Sequence, residues 1–187
     1  MAITQRRMTL AEFLELPEEE PALEYEAGVV KQKVSPKAPH SRLQFWLCRL
    51  FDSTDSPSKQ AAAFPEARVT LAGSSLVPDL VVYRWEHIPR EASGRVVADF
   101  TTPPDIAVEI LSPELGRATY EQRCRWYVEQ GVEIALLVNP RNESVQIFRR
   151  GQQPSLLRGH NPISLDPVLP GLRLAVRDLF SALWLGR

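Results

Sequence analysis

Two short apolar runs, each holding a single carboxylate, limit what this chain can become more than any other feature. They are Val77-Pro78-Asp79-Leu80-Val81-Val82 and Ile106-Ala107-Val108-Glu109-Ile110-Leu111-Ser112. Runs of this length bounded by Pro, Gly and Ser read as buried strands, and a carboxylate inside one must be paired, protonated or bound to a metal. If the runs are neighbours in one sheet, Asp79 and Glu109 meet at the strand ends, with Pro78 marking a strand start. Two hard oxygen donors there suit Mg²⁺ or Mn²⁺, a pattern that fits metal-assisted phosphodiester hydrolysis. For either acidic residue alone, a turn cap or an arginine partner at the sheet edge is the commoner arrangement; the pair in this order shifts the balance.

The 187 residues suit a single domain, 1–187, with one core. Lys and Arg total 22 against 23 Asp and Glu, a net charge of −1, so no strong overall field draws the chain onto nucleic acid. Arginine greatly outnumbers lysine, and Arg117, Arg123, Arg125, Arg149 and Arg150 follow the carboxylate runs, where bidentate phosphate contacts would be useful. No run spans a bilayer, and the N-terminus carries Arg6 and Arg7 without the apolar stretch of a secretion signal, so a cytoplasmic protein with no membrane partner is expected. Cys48 and Cys124 lack metal-ligand spacing and read as reduced thiols.

Along the chain, Thr9-Leu10-Ala11-Glu12 has the form of a capping box opening a short helix that Pro17 ends. Leu23 to Glu26 and Val29 to Val34 flank Ala27-Gly28 as a hairpin, with Glu24 reading as an exposed strand residue. His40 starts a second helix with Leu43, Trp46, Leu47, Leu50 and Phe51 on one face. At that position a solvent-facing cap is the commoner role, and orienting a water or contacting phosphate the functional one. A polar loop spans Asp52 to Gln60. Ala61 to Leu71 reads as one strand turning into the Asp79 strand, and Trp85 to Thr102 as a long connection.

After the Glu109 strand, Thr119 is placed to cap a helix running to Gln130, with Gly131 as its stop. Tyr120, Cys124, Tyr127 and Val128 share one face, and Arg123 borders it within reach of the end of the Glu109 strand. Glu133 to Asn139 and Val145 to Arg149 form a hairpin, Ser155 to Leu157 and Ile163 to Leu165 are edge-strand candidates, and Arg177 to Trp184 is a final helix. The strand-helix-strand order from Ile106 to Val138 makes the sheet mixed, an α+β fold with an α/β-like core.

The ordered set of Glu24-Tyr25-Glu26-Ala27-Gly28, Ser35-Pro36 before His40, Val77-Pro78-Asp79, Glu109-Ile110-Leu111-Ser112-Pro113, Tyr127, Gly131-Val132-Glu133, Leu137-Val138-Asn139-Pro140 and Leu169-Pro170-Gly171-Leu172 resembles the Uma-two type of restriction-endonuclease family, in the PD-(D/E)XK nuclease superfamily. That likeness implies a restriction-endonuclease-like mixed β-sheet flanked by helices and a Mg²⁺-dependent DNA endonuclease. It also implies Asp79, Glu109 and the backbone carbonyl of Ile110 as cation ligands, with Glu24 and His40 at the periphery. Cutting of both strands as a homo-oligomer is implied by analogy.

The chain departs from the family pattern at several points. Leu111 stands where a strand lysine would be, Arg123 where the family's helix lysine falls, Thr119 one turn earlier in place of an acidic residue, and Asn139 in place of an Asp. Lysine can be tuned by burial to shed its proton, whereas arginine stays charged, so Arg123 would clamp phosphate rather than act as a base. The lysines are Lys31, Lys33, Lys37 and Lys59, of which the first three lie on a segment able to fold near the site. The alternative function is a nuclease-fold protein without catalysis, acting as a binding or self-association module.

Overall fold

The computed structural model describes residues 8–52 and 60–184. Arg6, Arg7 and most of the expected polar loop, Lys59 included, lie outside the described residues.

Thr9 caps α1 (Leu10–Leu14) with the complete capping box, its N–H donating to Glu12 Oε2 at 2.7 Å. β1 (Leu23–Glu26) and β2 (Val29–Gln32) form the expected hairpin. Ala27 and Gly28 have φ of 49° and 83°, the two left-handed residues that a two-residue turn needs if its twist is to match the strands. α2 (Ala38–Phe51) begins two residues before His40, because Pro39 fits the first turn, where its missing N–H has no helical partner to lose.

The expected continuous strand from Ala61 to Leu71 is in fact two. β3 (Ala61–Pro65) pairs with β6 (Leu80–Arg84), while β4 (Val69–Leu71) pairs with β5 (Ser74–Leu76) in a different sheet. The break comes at Glu66, whose φ of 52° no strand interior accommodates. It follows Pro65, which has no N–H for a ladder.

β7 (Ile106–Ile110) is fully buried, and α3 (Arg117–Glu129) connects it to its parallel neighbour β8 (Ile134–Asn139). The helix starts two residues before Thr119, at an N-cap supplied by Gly116. β9 (Ser144–Arg149) and β10 (Ser155–Arg158) continue antiparallel, and α4 (Val176–Ser181) follows. Ile163 to Leu165 is not a strand: its alternation reports burial of Ile163 and Leu165 in the core, and Pro162 and Pro167 on either side offer no ladder donors.

Two sheets result, the smaller antiparallel throughout and the larger mixed. A four-stranded sheet has the order β2-β1-β5-β4, and a six-stranded sheet the order β10-β9-β8-β7-β6-β3, antiparallel except at β7–β8. On β7 the alternation sorts the core: Ile106, Val108 and Ile110 pack with Leu43, Leu47 and Phe51 of α2 and Leu179 and Phe180 of α4. Ala107 and Leu111 pack on the other face with Tyr120, Cys124, Tyr127 and Val128 of α3, the four residues expected to form its buried stripe. Among the described residues no helix is long and apolar enough to cross a membrane.

Gly131 ends α3 with φ of 105°, and a Cβ there would lie 3.3 Å from Pro103 Cγ. Gly131→Ala is therefore expected to cost about 1–3 kcal/mol through backbone strain. Urea unfolding of the two proteins measures it, and an unchanged midpoint would contradict the strain.

Candidate functional site

β6 and β7 run antiparallel with Leu80 across from Val108. Continuing that register past Leu80 sets Asp79 across from Glu109, and Pro78 across from Ile110. Asp79 Oδ2 accepts the Ile110 N–H at 2.6 Å, so the side chain takes over the ladder where β6 has not yet begun. Both carboxylates are only 1% exposed. The two acidic residues singled out in the sequence thus share one end of the central strands.

On the α3 side, Tyr127 Oη donates to Glu109 Oε1 at 2.7 Å, and Arg123 Nη1 lies 3.4 Å from the same oxygen. Arg123 Nη2 also pairs with Glu24 Oε2. Glu24 is not the exposed strand residue expected from its neighbours: it is 5% exposed, and its Oε1 accepts the Val77 N–H at 2.8 Å. The reason is that β1 is not an edge; β5 covers it, and the Val77 peptide follows directly from β5. Arg123 therefore bridges the small sheet to the large one.

On the α2 side, Lys33 Nζ lies 2.7 Å from Asp79 Oδ1 and pairs with Glu66 Oε2. Gln44 Nε2 donates to Glu66 Oε1 and to the Asp79 carbonyl, each at 2.7 Å. His40 is buried rather than a solvent-facing cap, because the first turn of α2 comes down onto the Asp79 end of the sheet; its Nε2 is 3.3 Å from Asp79 Oδ1. Glu66 drew no attention in the sequence, and the signal available was Phe-Pro-Glu-Ala breaking a strand pattern. Thr119 and Asn139 lie outside this cluster, Asn139 Oδ1 accepting the Arg141 N–H at 2.9 Å in the β8–β9 turn.

The surroundings set the charges. Burial, reinforced by Asp79 and Glu24, pushes the Glu109 carboxyl up to about 7 although Arg123 and Lys33 oppose the rise. Burial would also raise Asp79, but His40 and Lys33 outweigh it and hold that carboxyl below its ordinary value. For Lys33, burial pulls the ammonium down and Asp79, Glu66 and Glu109 more than reverse this, so it stays protonated. Burial acts against the Arg123 charge too, and Glu109 and Glu24 overcome it.

The donor set fits a divalent cation. Four carboxylates, Glu24, Glu66, Asp79 and Glu109, face two permanent cations, Lys33 and Arg123, so negative charge is in surplus. Glu109 Oε2 is buried without a hydrogen-bond partner among the described residues. A buried carboxylate oxygen in that condition calls for a proton or a metal ion. His40, Glu66 and Asp79 form a second donor group, with ligand atoms all within 4.8 Å of one another.

Comparison with known proteins places the whole chain. The sequence pattern of the Uma2 family, described as "Putative restriction endonuclease", matches residues 10–177. The chain is similar to a protein from Anabaena variabilis ATCC 29413 whose crystal structure, at 1.96 Å, is described as that of a putative nuclease belonging to DUF820. The two are 34% identical with a TM-score of 0.89, over 94% of this chain and 99% of that one. No curated protein matches the chain.

Proposed function

The chain belongs to the Uma2 family of putative restriction endonucleases, and on that premise we propose that it is a divalent-cation-dependent nuclease that hydrolyses DNA phosphodiesters at the Asp79–Glu109 end of β6 and β7. The observation that carries the reading is Glu109 Oε2, a carboxylate oxygen buried beside a second carboxylate with no hydrogen-bond partner among the described residues.

Asp79, Glu109 and the backbone carbonyl of Ile110 would hold Mg²⁺ or Mn²⁺, hard cations that take oxygen donors. In extended backbone a residue's N–H and C=O point toward the same neighbour, so the Ile110 carbonyl faces the Asp79 side of β7. Pro78, across from it, has no N–H to donate. That is a physical reason for proline beside this aspartate. When bound, the cation lowers the pKa of a ligated water and neutralises charge at the scissile phosphate.

The protein's own groups do the remaining work. Tyr127 fixes Glu109 by donating to Oε1, which leaves Oε2 for another partner. Arg123 sets a permanent positive charge beside the carboxylates, where negative charge on the phosphate grows in the transition state. It cannot accept a proton from water, because a guanidinium held by two carboxylates stays charged. Glu24 positions Arg123 from the opposite sheet.

Supercoiled plasmid incubated with Mg²⁺ or Mn²⁺ tests the proposal. Nicking is expected that stops with chelator and falls by at least about 10²-fold in Asp79→Ala and in Glu109→Ala. Linear product appearing with the nicked form would show both strands cut, as a pair of copies would do. Metal-independent nicking, or none by wild type and by Arg123→Lys alike, would defeat the nuclease reading in favour of a fold used only for binding or self-association.

A further inference from the structure

Lys33 lies in the second donor group. Its ammonium is 2.7 Å from Asp79 Oδ1, pairs with Glu66 Oε2, and belongs to a side chain only 12% exposed. The third member, His40, is 8% exposed, and its Nδ1 is buried without a hydrogen-bond partner among the described residues. Its Nε2 points at the same Asp79 oxygen, 3.3 Å away. Two carboxylates and a buried imidazole with ligand atoms within 4.8 Å of one another make a ligand set that Mn²⁺ or Zn²⁺ accepts, and the Lys33 ammonium already lies against both carboxylates.

We propose that Lys33 is a built-in cation filling a latent divalent-ion position formed by His40, Glu66 and Asp79, so that the protein takes one divalent ion where this cluster could hold two. The proposal rests on the reading that Asp79 and Glu109 bind the first ion. Asp79 is then shared: Oδ2 is held by the Ile110 N–H at the β7 side, and Oδ1 faces Lys33 and His40. A tethered ammonium supplies single positive charge without needing a coordination shell, and it satisfies Asp79 and Glu66 in the metal-free protein.

The test counts bound ions. Equilibrium dialysis with Mn²⁺, and in parallel with Zn²⁺, which imidazole favours, is carried out on wild type, Lys33→Met, Lys33→Gln and Lys33→Met with His40→Ala, after thermal melts have shown which are folded. Lys33→Met keeps the length of the side chain without its charge, and Lys33→Gln is the second variant should Met fold poorly. One ion per chain is expected in wild type, two in the single variants, and one again when His40 is also removed. No gain in either single variant, or a gain that survives loss of His40, overturns the proposal. The wild-type count reports separately on the first site: zero ions there, with a His40-dependent gain in Lys33→Met, would defeat the Asp79–Glu109 reading and leave the latent site standing.

Discussion

Arg123→Ala is expected to lower the unfolding free energy at neutral pH by about 3–5 kcal/mol, the range for removing one partner of a buried ion pair. Arg123 is the cation between Glu24 and Glu109, whose side chains are 6% and 1% exposed. Without it, among the described residues, Glu109 keeps only the Tyr127 hydroxyl on that side, and Glu24 keeps the Val77 N–H. Glu109 already titrates near neutrality, so it can take a proton and soften the loss in acid. The deficit should therefore be smaller at pH 5.5 than at pH 8. Urea unfolding at both values measures it; a loss under about 1 kcal/mol at pH 8 would mean that Arg123 contributes no more than an exposed ion pair. Arg123→Lys should retain part of the stability, since one ammonium cannot reproduce the planar fork that reaches both carboxylates.

The second large effect concerns pH. Glu109 is raised from an ordinary value of 4.5 to about 7 in the fold. Below the lower value both folded and unfolded chains hold the proton, and the group makes no difference. Between the two values the unfolded chain has released the proton and the folded chain keeps it, so stability falls as pH rises, by about 3 kcal/mol once pH passes the upper value. Glu109→Gln removes the titrating group and most of that slope. In metal-free buffer at pH 8 the variant should unfold at higher urea than wild type, and at pH 4.5 the two should be close. Added Mg²⁺ should raise wild type alone, since a bound cation replaces the proton. Equal slopes for both proteins between pH 4.5 and 8 would contradict a protonatable Glu109.

The sequence carried the parts of this site that depend on one segment at a time. Apolar runs with one carboxylate each located β6 and β7, and helical spacing identified the Tyr120, Cys124, Tyr127 and Val128 face and set Arg123 at its margin. Matching of the chain to the Uma2 pattern, and the fold it shares with the Anabaena protein, agree with the resemblance those segments carried. What the sequence hid depends on which segments meet. Glu24 alternates as a strand residue with one wet face would, and only the pairing of β1 with β5 buries it. His40 looks like a helix cap because burial of a first turn is decided by what the helix rests on. Lys33 and Glu66 are distant in sequence from each other and from Asp79, and no local pattern encodes their ion pairs. Pro65 was the available sign of a break before the left-handed Glu66, but a reading based on period ran the alternation through it as one strand.

Crystals grown in Mn²⁺ and measured for its anomalous signal give the most direct test of the cation site on which the nuclease proposal depends. One anomalous peak per chain is expected, within bonding distance of Asp79, Glu109 Oε2 and the Ile110 carbonyl, with Lys33 still beside Asp79. A structure at saturating Mn²⁺ with no peak between Asp79 and Glu109, and Glu109 Oε2 satisfied by a protein group or by water alone, would contradict it.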